Sequence, residues 1–400
     1  DGFRFDLMGH QPKDAMLRAR EAVWAVDPDN YFYGEGWNFG EVANNAQFVQ
    51  AIQSELTGTE IGTFTDRMRD AIRGGAPFDG AEGIRRGQGI SNGLYVIPNE
   101  LQPQDLQQQE YLLSMDQVRV GLAANLEDYP LTNAKGEQVT GKDIPYGGAP
   151  TGYAGDPADT VNYVSKHDNQ TLWDNNQYRI AYHVSSDDRV RMQNLSLAYP
   201  LLSQGIPFLH MGSELLRSKS FLRDSYDYGD WFNFVDFSYQ SNNYNVGLPP
   251  AEKDKDNWEV ISKLLKNNEG RDMVTPAQIK FAADVFAEFI AIRSQSPLLR
   301  LRTAEQVKQR VAFHNTGKEQ QAGLIVMSIS DTVGENLDKN YQAMVVVFNN
   351  SGKVKDVVYT SQGYALHPIQ AKGVDTQTKS SKVTASGFTV APLTAAVFVK

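Results

Sequence analysis

Three carboxylates close three short apolar runs: Asp6 in Phe3-Arg4-Phe5-Asp6-Leu7, Glu35 in Tyr31-Phe32-Tyr33-Gly34-Glu35-Gly36-Trp37, and Asp168 in Asn162-Tyr163-Val164-Ser165-Lys166-His167-Asp168-Asn169. In the first run apolar and charged residues alternate, so a strand here turns Phe3 and Phe5 to one face and Arg4 and Asp6 to the other. A guanidinium two residues from a carboxylate on the same face keeps that carboxylate ionised, which suits Asp6 to nucleophilic attack. A structural ion pair at a strand end accounts for the same two residues equally well. Glu35 lies between glycines that let a ligand approach the backbone, and Trp37 follows. A carboxyl packed near an aromatic surface has its pKa raised, which suits a general acid. Taken alone, a glutamate at a strand end is more often a solvated loop residue, and His167 beside Asp168 is a weak signal. Together they carry more: two carboxylates, one nucleophile and one acid/base, are the minimum for retaining glycoside hydrolysis, and a third can stabilise the oxocarbenium-like transition state.

Such a set needs one sheet to hold it. Up to about residue 295, strand-like runs (Gly2 to Leu7, Tyr31 to Glu35, Ile61 to Thr65, Val161 to His167, Ile206 to His210) alternate with stretches whose apolar residues recur every three or four positions. The latter, read as helices, are Asp14 to Val26, Asp66 to Arg73, Asp105 to Leu122 and Arg189 to Leu202. This is the pattern of a parallel sheet with crossover helices, about half of an eight-stranded barrel. Asp6, Glu35 and Asp168 then fall at the C-terminal ends of separate strands, the rim where barrel enzymes build their sites. From about Glu305 the runs become short and rich in Val, Ile, Phe and Tyr: Val307 to Phe313, Gly323 to Ile329, Ala343 to Phe348, Lys355 to Tyr359 and Phe388 to Lys400. They predict an antiparallel sandwich, joined to the first part by a helix from Gln278 to Ser294. The glutamine-rich segment Gln102 to Gln109 reads as a solvated helix start.

At 400 residues, 41% hydrophobic and 10% aromatic, the chain has enough apolar surface for two or three folding units. Its net charge of -10 repels polyanions, which argues against nucleic acid or an acidic membrane surface as partner. No apolar segment is long enough to span a bilayer, and the N-terminus has no basic and apolar export pattern. With no cysteine, disulfides, thiolate metal sites and thiol nucleophiles are excluded. The six histidines show no His-Glu-x-x-His spacing, and no phosphate or dinucleotide loop is present.

The strings DGFRFDLMG (residues 1–9), YGEGW (33–37) and VNYVSKHDN (161–169) resemble the second, third and fourth signature regions of the alpha-amylase superfamily, glycoside hydrolase family 13. Their order and strand placement agree with that family. Longer strings, YGEGWNFGEV, IGTFTDRMRDAIRGG, GSELLRSKSFLRDSYDYGDWFN and NNYNVGLPPAEKDKDNW, are similar to those of type I pullulanases and plant limit dextrinases, which cleave alpha-1,6 branch linkages. The resemblance implies Asp6 as nucleophile, Glu35 as acid/base and Asp168 as transition-state stabiliser. It places Arg4 beside the nucleophile and His167 on sugar hydroxyls. Trp37, Phe39 and Phe78 match rings lining the substrate cleft, although core packing is the competing account, more so for Phe39 than for Trp37. Asn169, Arg223 and Asp256 fall where the family binds substrate; the latter two are otherwise surface charges on loops.

The family's first signature region, an Asp-Val-Val-x-Asn-His type string on the third strand, is absent, and the chain has no initiator Met. The expected architecture is therefore α/β: the C-terminal part of a (β/α)8 barrel from about strand four (residues 1–300) followed by an antiparallel β-sandwich (residues 301–400). The expected partners are an alpha-glucan substrate and the N-terminal half of the same barrel. An alpha-1,4-acting amylase and a noncatalytic glucan-binding fragment are the alternatives. The chemistry needs no cofactor. Asp224, Asp227, Asp230 and Asn233 crowd one loop, which admits a structural calcium, but turn formation explains them better. The compartment stays open between a secreted or cell-surface bacterial protein and a plant plastid one.

Overall fold

The computed structural model describes residues 2–102 and 104–400, with backbone alone at 104–106; Asp1 of the first string and Pro103 of the glutamine-rich segment lie outside the described residues. Five strands, β1 (Gly2–Phe5), β2 (Tyr31–Gly34), β3 (Ile61–Phe64), β4 (Thr160–Asn162) and β5 (Ile206–Pro207), form one parallel sheet in chain order. Its connections contain the helices Lys13–Trp24, Asp66–Arg73, Gln104–Leu122, Leu172–Arg179 and Ser186–Leu201. Among the described residues β1 pairs only with β2 and β5 only with β4, so both outer edges are open.

The alternation in β1 sorts its side chains as expected. Phe3 and Phe5 meet Phe32 at ring-centre distances of 5.2 and 5.5 Å, and Phe5 and Phe32 pack with Met8, Met16 and Ile61 beneath the first crossover helix. On the opposite face Tyr31 and Tyr33 stack at 5.7 Å, Tyr33 continues edge-on into Phe64, and Arg4 lies over the Phe64 ring. All five strands end earlier than the sequence suggests, and for two of them the local reason is plain. β1 stops at Phe5 because Leu7 takes a left-handed backbone with φ of 51°, which breaks the extended run. β4 stops at Asn162 rather than His167. Its neighbour β5 ends in Pro207, which has no N–H to extend the ladder, and the Asn162 amide is tied to Gly121 O, Ser203 Oγ and Gln204 O.

The connecting helix runs Pro276–Gln295 and starts at a reciprocal cap between Thr275 and Gln278. One expected strand is wrong in its first half: Ala304–Arg310 is a helix, and the strand begins only at Val311. Thr303 accepts the Gln306 N–H as an N-cap, and the helical turn puts Val307 into the core, which outweighs the β preference of a single valine. The run Phe388 to Lys400 is two strands, Gly387–Val390 and Thr394–Val399, broken at Pro392. They belong to different antiparallel sheets. One has the order Val311–His314, Leu324–Ser330, Ala343–Asn349, Thr394–Val399, Ala365–Leu366, and the other Lys355–Val358, Gly387–Val390, Lys382–Thr384. Val326, Val345, Val347 and Phe398 of the first sheet bury against Val357, Phe388 and Val390 of the second. The other face of the larger sheet, with Ile325, Met327, Met344, Val346, Phe348 and Val397, shares one core with Leu195, Leu197, Tyr199, Val285 and Phe289 of the preceding helices. No helix among the described residues is long and apolar enough to cross a membrane.

Candidate active site

The parallel sheet delivers Asp6, Glu35 and the Lys166-His167-Asp168 run to the same end: Asp6 and Glu35 directly follow β1 and β2, and the third group comes four to six residues after β4. The backbone laces the first two together: Glu35 N–H donates to Phe5 O at 3.0 Å and Gly9 N–H donates to Glu35 O at 2.8 Å. The left-handed turn at Leu7 aims its own N–H back at Glu35 Oε2, 3.0 Å away.

Arg4 organises the charges. Its Nη1 meets Asp6 Oδ1 at 2.6 Å and its Nη2 meets Glu35 Oε1 at 3.0 Å. Lys166 Nζ donates to the same Glu35 Oε1 at 2.6 Å and also reaches Asp168 Oδ2. His167 Nε2 lies 3.5 Å from carboxylate oxygens of Asp6, Glu35 and Asp168. Asp6, Glu35 and His167 each offer an atom within 4.8 Å of the others. Arg4 and Lys166 already supply positive charge to this cluster, so a metal ion would compete with two cations.

Glu35 corrects an expectation. It is 3% exposed, and burial alone would raise its pKa. Hydrogen bonding from His167, the Lys166 ammonium and the Leu7 N–H outweigh that term and hold the carboxyl at about 2. The environment is cationic rather than aromatic, so the resting group is a carboxylate. Asp168, more than half exposed, is held well below the usual carboxylate range, chiefly by His167. His167 is in turn raised to about 9, first by Asp168 and then by Glu35. Arg4 Nη2 also lies 3.1 Å from His167 Nε2, a contact that would be a hydrogen bond only with a neutral ring. Three flanking carboxylates favour the imidazolium, and we take the ring as charged. His210, just beyond β5, is pushed down to about 3 by burial and by Arg217, so it is neutral.

The aromatic residues distribute differently from the expectation. Trp37 is half-buried against Phe64, Val161 and Tyr163. Phe39 is 40% exposed and touches His10 edge-on, so core packing describes Trp37 better than Phe39. Phe78 is exposed, with the Arg223 guanidinium 5.9 Å above its ring. Asn169 adopts a left-handed backbone and donates to Pro77 O, which ties the rim to the segment bearing Phe78. Arg223 pairs with Asp224, and its N–H donates to Asp254 Oδ2 at 2.8 Å. Asp256 instead borders a depression of about 220 Å³ with Glu82, Arg85, Tyr182 and Lys263, away from the carboxylates. Asp254 is thus the acidic residue that fixes the Arg223 segment, and its place two residues before Asp256 gave no signal of that. In the crowded loop Asp224 and Asp227 pair with Arg223 and Lys253, while Asn233 donates to Ser225 O and Gly229 O. The Asn233 contacts close a local turn, whereas the Asp227–Lys253 pair ties the loop to a later segment. Lys166, unassigned in the sequence, is the residue that most changes the site. Cavities of about 800 and 900 Å³ lie elsewhere, and the site itself is marked by converging charge.

Residues 239–400 match the family described as alpha-1,6-glucosidases, pullulanase-type, C-terminal. The chain is 45% identical over 396 residues to a pullulanase of Klebsiella pneumoniae, covering 98% of this chain and 35% of that protein. It is 42% identical to the chloroplastic pullulanase 1 of Arabidopsis thaliana, covering 100% of this chain and 43% of that one. A crystal structure of PulA from Klebsiella pneumoniae in complex with maltotriose superimposes with a TM-score of 0.93 at 44% identity, over 100% of this chain and 43% of that chain. The chain therefore spans well under half the length of these relatives.

Proposed function

The chain belongs to the type I pullulanases of glycoside hydrolase family 13, and from that premise we propose that it carries the catalytic carboxylates of an alpha-1,6-glucan debranching hydrolase. The observation that supports this most is the approach of Asp6 and Glu35, whose carboxylate oxygens lie within 4.8 Å. That spacing suits direct attack, whereas an inverting pair needs roughly 6.5–9.5 Å to admit a water.

In this reading Glu35, once protonated, donates to the glycosidic oxygen as the bond to the anomeric carbon breaks. Asp6 Oδ attacks that carbon to form a glycosyl ester. Glu35, now a carboxylate, takes a proton from water, which attacks the same carbon and frees Asp6, with overall retention. Arg4 keeps Asp6 ionised and aimed, while Asp168 and His167 bind sugar hydroxyls and stabilise the positive charge that develops. Phe39, Phe78, Asn169 and Arg223 line the glucan path, whereas Trp37 packs into the core beside it and Asp256 faces a separate depression. Two carboxylates carry every proton and bond, so the chemistry calls on no organic cofactor. Maltotriose, held by the PulA crystal structure, is the unit that alpha-1,6 cleavage of pullulan releases.

The same reading gives the architecture its finer form. The parallel sheet is the C-terminal part of a (β/α)8 barrel, residues 1–300, whose two open edges are closed by preceding polypeptide. The two antiparallel sheets are a β-sandwich, residues 301–400. The test is maltotriose release from pullulan by the full-length protein. Asp6→Ala should abolish turnover, and Glu35→Gln should lower it by roughly 10²- to 10⁴-fold, with folding intact by circular dichroism. Turnover retained in both variants would sink the assignment.

A further inference from the structure

Lys166 is 5% exposed, and its ammonium sits between Glu35 Oε1 and Asp168 Oδ2. One buried cation thus joins two carboxylates to which the mechanism gives different work. Resting on the reading of Glu35 as the acid/base, we infer that Lys166 is a positioning residue: it fixes Glu35 as a carboxylate in the resting site and shifts fully to Asp168 when substrate enters, freeing Glu35 to take up the proton it donates.

The hydrogen-bond count leads here. Glu35 Oε1 receives Arg4 and Lys166, and Oε2 receives the Leu7 N–H. Protonation neutralises Glu35, and a neutral carboxyl no longer offsets the cost of holding two cations on Oε1, so the cation with the freer alternative partner moves away. The Leu7 donor is backbone in a fixed turn. Arg4 is anchored on its other nitrogen by Asp6 at 2.6 Å. Lys166 has its second carboxylate, Asp168, outside the nucleophile's pair, and its four-carbon stem with three donors can pivot towards it without disturbing Asp6. The remaining charged groups around the pair do not substitute for it. Asp6 is engaged by Arg4, His167 is shared among three carboxylates, Lys219 is turned to Arg223 O, and His210 is neutral.

The experiment measures kcat/KM on pullulan against pH for the full-length wild type, Lys166→Met and Lys166→Arg, with a carboxyl-¹³C NMR titration of Glu35 assigned through Glu35→Gln. Loss of the cation should move the basic limb, which follows deprotonation of the acid, upward by about one to three pH units. Lys166→Arg should keep the wild-type limb. A purely structural lysine would lower the rate evenly at every pH, and an unmoved limb in a folded Lys166→Met overturns the inference. In the wild type, the Glu35 carboxyl should titrate below the ordinary value of about 4.3. Titration at or above it overturns the inference even where Lys166→Met does not fold. Failure of the wild type to cleave pullulan would count against the proposed function, and the Glu35 titration would still decide the role of Lys166.

Discussion

Glu35 shows what a local sequence can and cannot reveal. The glycines and the strand end were legible, because each is a property of adjacent residues. The charge on the group was not, because Lys166 and His167 arrive from far along the chain and reverse the effect expected from Trp37. His167 carries a pH prediction of its own. Its folded pKa, raised to about 9, lies above the unfolded value of about 6.5, so the stability its charge contributes is complete below about 6.5 and is lost as pH rises through 9. Urea midpoints of wild type and His167→Asn should therefore differ most at pH 6 and converge by pH 10; a constant gap would mean an uncharged ring. Phe39 gives a second prediction. It is 40% exposed and meets His10 edge-on, so Phe39→Ala should cost no more than about 1 kcal/mol of unfolding free energy. If its ring stacks on glucose, KM for branched glucan should rise about fivefold, the equivalent of ~1 kcal/mol, with kcat unchanged. An unchanged KM would remove Phe39 from the cleft.

At the scale of elements, periodicity located five of the helices but passed over Leu172–Arg179 and Trp258–Asn268. The spacing bounded Asp66–Arg73 as the structure does and missed the ends of Lys13–Trp24 and Pro276–Gln295 by one or two residues. Strands were overextended wherever the chain keeps an extended, apolar character after its partner has gone, as beyond Asn162. This matters for function, since the unpaired stretch from Tyr163 to Asp168 is what lets Lys166, His167 and Asp168 turn into the site instead of alternating across a sheet. The strand expected at Val307 failed for the converse reason: a threonine N-cap is a stronger local signal than one β-branched residue, and it stands four residues before it.

At the scale of the whole molecule, the two antiparallel sheets are locked to the site-bearing part by more than apolar contact. Tyr199 stacks on Phe348 at 4.2 Å and its hydroxyl bonds the Asn350 side chain, while Arg191 makes a two-pronged pair with Asp375 at 2.7 and 2.8 Å. Both members of that pair are buried. The arrangement was invisible in the sequence because Arg191 lies in a crossover helix and Asp375 caps a short helix of the C-terminal part. Removing one partner strands a buried charge, so Asp375→Ala should cost about 3–5 kcal/mol, more than the pair itself is worth against apolar replacements. Burial raises the Asp375 pKa, but the Arg191 contacts outweigh it and leave the folded value below the unfolded one. The stabilisation is then present above the unfolded value of about 3.9 and is lost as pH falls through the folded one. The difference in urea midpoint between wild type and Asp375→Asn should be large at pH 6 and shrink towards pH 3. A difference that persists at low pH would mean that packing, not the ion pair, holds the C-terminal sheets against the helix that follows the carboxylate-bearing rim.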